Sequence, residues 1–449
     1  MIIMTQLLLR TTTTTEKTRA FLLQLGILFL LLLTVPLSSS YFYTIKNIHI
    51  GDIHFQDLFQ LVNYIPLPGQ SSPSGLQSFE GWLWAFAAAV LLAAAWSRFD
   101  KNFFIYEPLW YYGLRVVLRY RLAAALFSYG LLLVFAVQAP YPAISDLHTK
   151  YGYFLPWRIY YDSLAVSSAG YAPALGLIEI LGGILLLFRR TAIFGAGIAA
   201  FVLINIVLAN FAYDLGDQVL SVYLLLIALV LIAYDGPRLY ELLYKEKKTF
   251  AEKFAPVFIG NWARVRQVLK GAFILFLFAY TLLLFKERRS GKWPYPDSPG
   301  LPNAAGFYDV KHFNFNGGER PYSLVDSIRW EDVVFEQWNT LSINAHRPTP
   351  INFARPSITY AATTTGRTYE NLGNGQRLFY SYVTKGDSLL LVNKNDGNDT
   401  YAFTLSRPHE GQILLQGLDR AGNKLVIELN RLDKKYLLLL GRRRPVKVY

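Results

Sequence analysis

Between Tyr171 and Arg238 the sequence sets a few polar side chains inside three long apolar segments. Glu179 lies within ALGLIEILGGILLLF, and Asn205 and Asn210 lie within TAIFGAGIAAFVLINIVLAN. Gln218 and Ser221 open QVLSVYLLLIALVLIAYD, and Asp214 and Asp217 stand in the NFAYDLGD connection before it. A carboxyl or amide inside such a run is costly unless it finds a partner, so each is either a binding group or interhelical glue. If the first segment enters near Pro173 and the second leaves near Asn210, Glu179 and Asn205 sit at nearly one depth, about 9 Å in at 1.5 Å per residue. They are therefore expected to meet. With Asn210, Asp214, Asp217, Gln218 and Ser221 above them, and Gln138 at the end of the preceding span, the set predicts a polar pocket that opens outward. Such a pocket suits the polar head of a lipid-soluble ligand such as a quinone, or a proton path through Glu179. The structural alternative bonds Glu179 to a neighbouring backbone or amide group.

Outside the apolar segments, His148 stands near Lys150, Arg158, Tyr160, Tyr161 and Asp162. A histidine beside tyrosines and an acid can act as a general acid or base at a quinone headgroup. The same composition also makes an interfacial aromatic belt.

The elements that position these groups follow from composition. Of 449 residues 53% are hydrophobic, and the long apolar runs stop before about residue 290. The net charge is +13, but the lysines and arginines gather at the ends of apolar segments. They read as topology signals and contacts for anionic membrane lipids, not as a nucleic-acid footprint. The chain has no cysteine, which excludes disulfides, thiolate metal sites and CxxC redox chemistry within it. None of the six histidines falls in an apolar segment, which excludes bis-histidine haem inside the membrane. No metal site is expected.

Seven spans are expected: about 20–37, 81–96, 122–139, 173–188, 191–210, 218–235 and 271–285. Residues 20–37 read either as a retained span or as a signal segment, since Ser38–Ser40 follow directly. Basic residues concentrate in the connections on the N-terminal side (Arg98, Lys101, Arg115, Arg119 and Arg121, then Arg189 and Arg190, then the run from Arg238 to Lys270), with KERRSGK after the last span as the counter-signal. By the positive-inside rule the N-terminus is cytoplasmic and the C-terminal region outside. The aromatic stretch FFIYEPLWYYGL is expected along the interface. The domains are then a cytoplasmic N-terminus (1–19), a two-span region (20–110), a region of four spans (111–242), a basic connection (243–270), a last span (271–286) and a soluble domain (293–449). The soluble domain reads as all-β: SLLLVNKN, TYAFTLSRP, QILLQGLD and KLVIELNRL are strand-like runs parted by NDGND, HEG and RAGN turns. An antiparallel meander in a sandwich or an open barrel is expected. In RWEDVVFEQW, strict alternation puts Glu331 with Val333 on one face and Asp332 with Val334 on the other.

The stretch from GLIEILGG through to YDGPRLYELL resembles the DoxX-like integral membrane proteins, particularly long Bacteroidetes-type members with added N-terminal spans and a C-terminal extracytoplasmic extension. RYRLA, PYPAISDLHTKYG, WRIYYDSL, RWEDVVFEQWNTLSI and LDKKYLL look similar to the same proteins. The resemblance implies a four-helix core, an inner membrane of a Gram-negative cell and a periplasmic β domain. It also implies quinone-linked redox work as an accessory subunit, with electrons moved by a partner protein. The alternative is a non-catalytic, membrane-anchored scaffold whose β domain binds periplasmic or envelope partners.

Overall fold

The structure is a computed structural model that describes residues 14–49, 51–64, 76–100, 103–167, 170–249, 254, 256, 258, 260–289, 294–353, 367 and 369–440. Residues 1–13, and 293 where the soluble domain was expected to begin, lie outside the described residues. The helices are α1 (Thr14–Leu32), α2 (Ser39–Asn47), α3 (Phe55–Val62), α4 (Glu80–Phe99), α5 (Phe103–Val134), α6 (Ile144–Leu147), α7 (Pro156–Ala165), α8 (Tyr171–Leu187), α9 (Ala192–Tyr213), α10 (Gln218–Tyr234), α11 (Gly236–Leu243) and α12 (Asn261–Arg289). Every expected span falls on one of them. Among the described residues four helices are long and apolar enough to cross a membrane (α4, α5, α9 and α12), and α10 with α11, bent by 62°, makes a fifth. At 17 residues α8 is apolar but shorter, and α1 carries Glu16, Lys17 and Arg19 at its start. The chain is a membrane-embedded protein.

Two expectations change here. FFIYEPLWYYGL does not form a separate interfacial stretch; it begins the continuous 32-residue α5, about 48 Å long at 1.5 Å per residue. Its basic residues find partners along the way. Arg119 donates to the carbonyls of Leu186 (2.9 Å) and Leu187 (3.1 Å) at the end of α8, and Arg121 lies over the rings of Tyr64 and Tyr223. The polar loop after the first span contains α3, whose Phe55, Phe59 and Val62 are buried on one face because apolar residues recur there at helical spacing.

The chain divides into two compact units, 1–131 with 175–283, and 132–174 with 284–449. The first is helical. On α4 the small residues Ala85, Ala89 and Ala93 form a buried stripe, and α4 packs on α1 with Phe29 edge-on to Trp82 and Phe86. Helices α5, α8 and α9 meet at glycines. A Cβ on Gly130 of α5 would lie 2.6 Å from the Gly176 carbonyl oxygen, one on Gly183 3.1 Å from that of Ala123, and one on Gly195 of α9 2.8 Å from that of Gly182. Backbones this close gain van der Waals contact that lipid-facing Leu side chains cannot supply.

The second unit is built on β1 (Gly306–Phe315), β2 (Gly318–Glu319), β3 (Trp330–Phe335), β4 (Thr340–Ala345), β5 (Arg377–Lys385), β6 (Ser388–Asn393), β7 (Thr400–Ser406), β8 (Gln412–Asp419) and β9 (Lys424–Leu432). All neighbours are antiparallel, and β1 also pairs with β9 from Phe307↔Leu432 to Phe315↔Leu425. The sheet is therefore a closed barrel rather than an open one, with no free edge along its circuit. Turn chemistry sets the register: Asn316 and Gly317 both have positive φ in the two-residue β1–β2 hairpin, and Gly386 (φ +60°) opens the β5–β6 turn. Side chains fill the barrel. Trp330 packs against Phe313, Tyr401 and Phe403, with Phe335, Leu341, Leu391 and Ile427 fully buried around them. A register shift between Trp330 and Asp332 breaks the expected alternation in β3. It is Trp330, not Glu331, that joins Val333 and Phe335 in the core.

Segment 132–174 belongs with this barrel, although hydropathy alone groups it with the helices. Leu155 N–H donates to the Gly373 carbonyl (2.9 Å), Gly375 N–H to that of Tyr153 (2.8 Å), and Lys150 N–H to Oε1 of Gln376 (2.7 Å).

Candidate functional site

In the helical unit, Glu179 occupies the α8 stripe that also carries Gly176 and Gly183, at helical spacings of three and four residues. Its Cβ lies 3.1 Å from where a Cβ on Gly130 would stand. The residue is 4% exposed, and its Oε2 is buried with no hydrogen-bond partner among the described residues. Asn205 does not join it: Asn205 is exposed on α9 while Glu179 faces inward. Equal depth does not give a shared face.

Asn210, Asp214, Asp217, Gln218 and Ser221 do come together, at the α9–α10 turn, whereas Gln138 lies beyond the end of α5 and donates from Nε2 to Tyr161 OH (3.4 Å). Asp214 caps α9 in the left-handed conformation (φ 52°). Buried Asn210 donates from Nδ2 to the Ile206 carbonyl (3.0 Å) and accepts at Oδ1 from Asp217 N–H (3.0 Å). Gln218 Nε2 donates to the Asn210 carbonyl (3.2 Å) and to Asp214 Oδ1 (3.0 Å), and Ser221 Oγ donates to the Gln218 carbonyl (3.0 Å). From α5, Tyr129 OH donates to Asp217 Oδ2 (2.9 Å). These groups satisfy the orphan carbonyls and amides of two helix ends and tie the turn to α5. Since Tyr129 adjoins Gly130, α5 touches the turn and Glu179 at one level.

The barrel unit holds a second concentration of charge, at the seam between segment 132–174 and the strands. Arg158, fully buried, pairs with Asp146 at 2.6 Å and Asp162 at 3.3 Å, and donates to the Tyr369 carbonyl at 2.8 Å. Burial works against the Arg158 cation, but Asp146, Tyr369 and Asp162 more than offset it and its pKa lies well above the usual value. Glu336, 1% exposed, accepts at Oε1 from Ser145 N–H (2.8 Å) and Oγ–H (2.7 Å), and at Oε2 from Ile144 N–H (3.2 Å). Burial pushes its carboxyl up to about 7, against the pull of the Ser145 donors. Asp162 is likewise pushed up to about 7, first by burial and then by Asp146, with Arg158 opposing. On β5, fully buried Arg377 pairs with Asp332 at 2.6 Å, and Lys394 pairs with buried Glu370, which also accepts from Thr340 Oγ1 (2.9 Å). From the sequence, Arg158 and Asp162 stand near His148, and Glu336 lies within RWEDVVFEQW. Their convergence is not legible there, and the four-residue spacing of Arg158 and Asp162 is the one local signal. His148 stacks on Phe307 (3.8 Å, 12°), and its Nε2 is 2.7 Å from Tyr436 OH. Burial, then Lys434 and Arg377, push its pKa down to about 4, so it is neutral at pH 7.

No family model matches the chain. No solved structure matches it either. Over 61 residues, 14% of its length, it is 44% identical to YwoB of Bacillus subtilis (strain 168), an uncharacterised protein, and the match spans 40% of that protein's own length.

The two concentrations of polar groups differ in kind. The buried ions of the barrel unit have partners within the fold, as structural charges must. Glu179 Oε2 has none among the described residues, and it lies on an apolar helix.

Proposed function

We propose that the chain is a DoxX-like inner-membrane protein whose helical unit binds a lipid-soluble ligand, a quinone in the first instance, with Glu179 as the polar recognition point. One observation carries the reading: the Glu179 carboxyl is buried on a packed helix face with an oxygen that no described protein group engages. A ligand carbonyl or hydroxyl would complete it, and the apolar wall of α8 and α5 suits an isoprenoid-type body. The turn residues Asn210, Asp214, Asp217, Gln218 and Ser221 hold the helix ends that frame the site. In this reading all seven apolar helices span the inner membrane, the N-terminus is cytoplasmic, the barrel is periplasmic, and electrons pass to a partner protein.

The test is to purify the full chain in mild detergent, extract it with organic solvent and quantify quinone beside Glu179→Ala and Glu179→Gln. A stoichiometric amount in the wild type, lost in Glu179→Ala and partly kept in Glu179→Gln, is expected. Background amounts in all three overturn the quinone reading.

A second reading, a scaffold whose barrel docks envelope partners, draws support from the barrel's outer face. Val383, Leu390, Ala402 and Leu418 stand directly opposite one another on β5 to β8, and all four are exposed. The filled interior leaves the outer wall as the recognition surface.

A further inference from the structure

The helical unit has a small open cleft between the N-terminal half of α5, the α8–α9 junction and the end of α10. Three guanidinium groups line it, those of Arg115, Arg119 and Arg189, with Tyr112, Tyr234 and Asp235 beside them, and Val116 and Leu231 contribute apolar surface. The residues come from three separate stretches of sequence. As topology markers they would need only to lie on one side of the membrane; nothing in that role requires them to converge.

Their geometry is that of a prepared anion site. Arg119 is fixed by its two hydrogen bonds to the last carbonyls of α8. Arg189 is fixed by donation to the Phe254 carbonyl at 3.1 Å. Arg115 is held by stacking instead: its guanidinium carbon is 3.5 Å from the centre of the Tyr234 ring and 5.8 Å from that of Tyr111. Its buried Nε has no hydrogen-bond partner among the described residues. A planar cation immobilised on an aromatic face with donors to spare is suited to bidentate recognition of phosphate. Among the described residues that line the cleft, Arg115, Arg119 and Arg189 carry positive charge, complementary to that of a phosphate.

We propose that this cleft binds a phosphate group, carried either by an anionic lipid headgroup or by a soluble phosphate ester. The site is separate from Glu179 and stands or falls independently of the quinone reading. The full chain is tested in two settings: in phosphatidylcholine nanodiscs with and without phosphatidylglycerol, counting retained lipid by native mass spectrometry, and in detergent with inorganic phosphate, following thermal stability. Arg115→Gln is expected to weaken retention or the phosphate response about tenfold, about 1.4 kcal/mol. Arg115→Lys keeps part of it and controls for misfolding. Arg190→Gln, exposed and outside the cleft, is expected to match the wild type. Selective retention of phosphatidylglycerol without a phosphate response identifies the lipid headgroup, and a phosphate response in detergent identifies a soluble ester. Neither response, or an equal loss in Arg190→Gln, overturns the proposal.

Discussion

Replacing Glu336 with glutamine separates the cost of a buried carboxylate from the value of its hydrogen bonds. In the folded protein this acid gives up its proton at about 7 instead of the ordinary 4.5. Between those two values the native state holds a proton that the unfolded chain has lost, so stability falls as pH rises from 4.5 to 7. At about 1.36 kcal/mol per pH unit the loss is roughly 3 kcal/mol. Glutamine cannot titrate. Its carbonyl oxygen can still accept from Ser145 N–H and Oγ–H, but its amide nitrogen would face Ile144 N–H, forfeiting a hydrogen bond worth about 1 kcal/mol. The variant should therefore be about 1 kcal/mol less stable than the wild type below pH 4.5 and roughly 2 kcal/mol more stable at pH 8. The two curves should cross in between. Denaturation of the full chain in detergent across this range, with amide exchange followed at Ile144 and Ser145, measures both. A constant offset between wild type and variant, or wild-type stability that rises from pH 4.5 to 7, would refute the reasoning. Asp162 titrates in the same window and with the same sign, but it is present in both proteins and drops out of the difference.

Gly130→Leu should lower the thermal stability of the detergent-solubilised protein by about 1–3 kcal/mol or more, because its Cβ alone would meet the Gly176 carbonyl oxygen at 2.6 Å. Gly113→Leu, with nothing within 4 Å, is the control and should stay near the wild type. Arg158→Met leaves Asp146 and Asp162 buried without their cation, which costs about 3–5 kcal/mol. Limited proteolysis should then cut within 144–165 at neutral pH.

Long-range partners decide what hydropathy and local pattern can reveal. The apolar helices were legible because burial in lipid writes itself as uninterrupted Leu, Ile, Val and Ala. The N-terminal half of α5 was not, because its arginines find their partners in Leu186, Leu187, Tyr64 and Tyr223, all distant in sequence. The β-strands were legible from alternation and turn residues, whereas closure rests on β1 meeting β9, which no local pattern announces. In the site, rise along the axis puts Glu179 and Asn205 at one depth, but rotation about it turns Asn205 outward. Asp214, Asp217 and Gln218 were recognisable as polar residues near a turn. Their mutual hydrogen bonds depend on the left-handed backbone at Asp214, which the sequence does not display.

The pairing of β1 with β9 also dictates an order of events in synthesis. Strands β3 to β8 can zip onto one another as each hairpin emerges, but β1 keeps one side unpaired until Lys424–Leu432 has been made, so the last contact of the circuit spans more chain than any other in the sheet. Closing so long a loop is slow and comes late. Until then the nascent domain presents two adhesive strand edges, on β1 and β8. Chains that stop before Lys424 should consequently be captured by chaperones or by one another, even though most of the hydrophobic interior is already encoded.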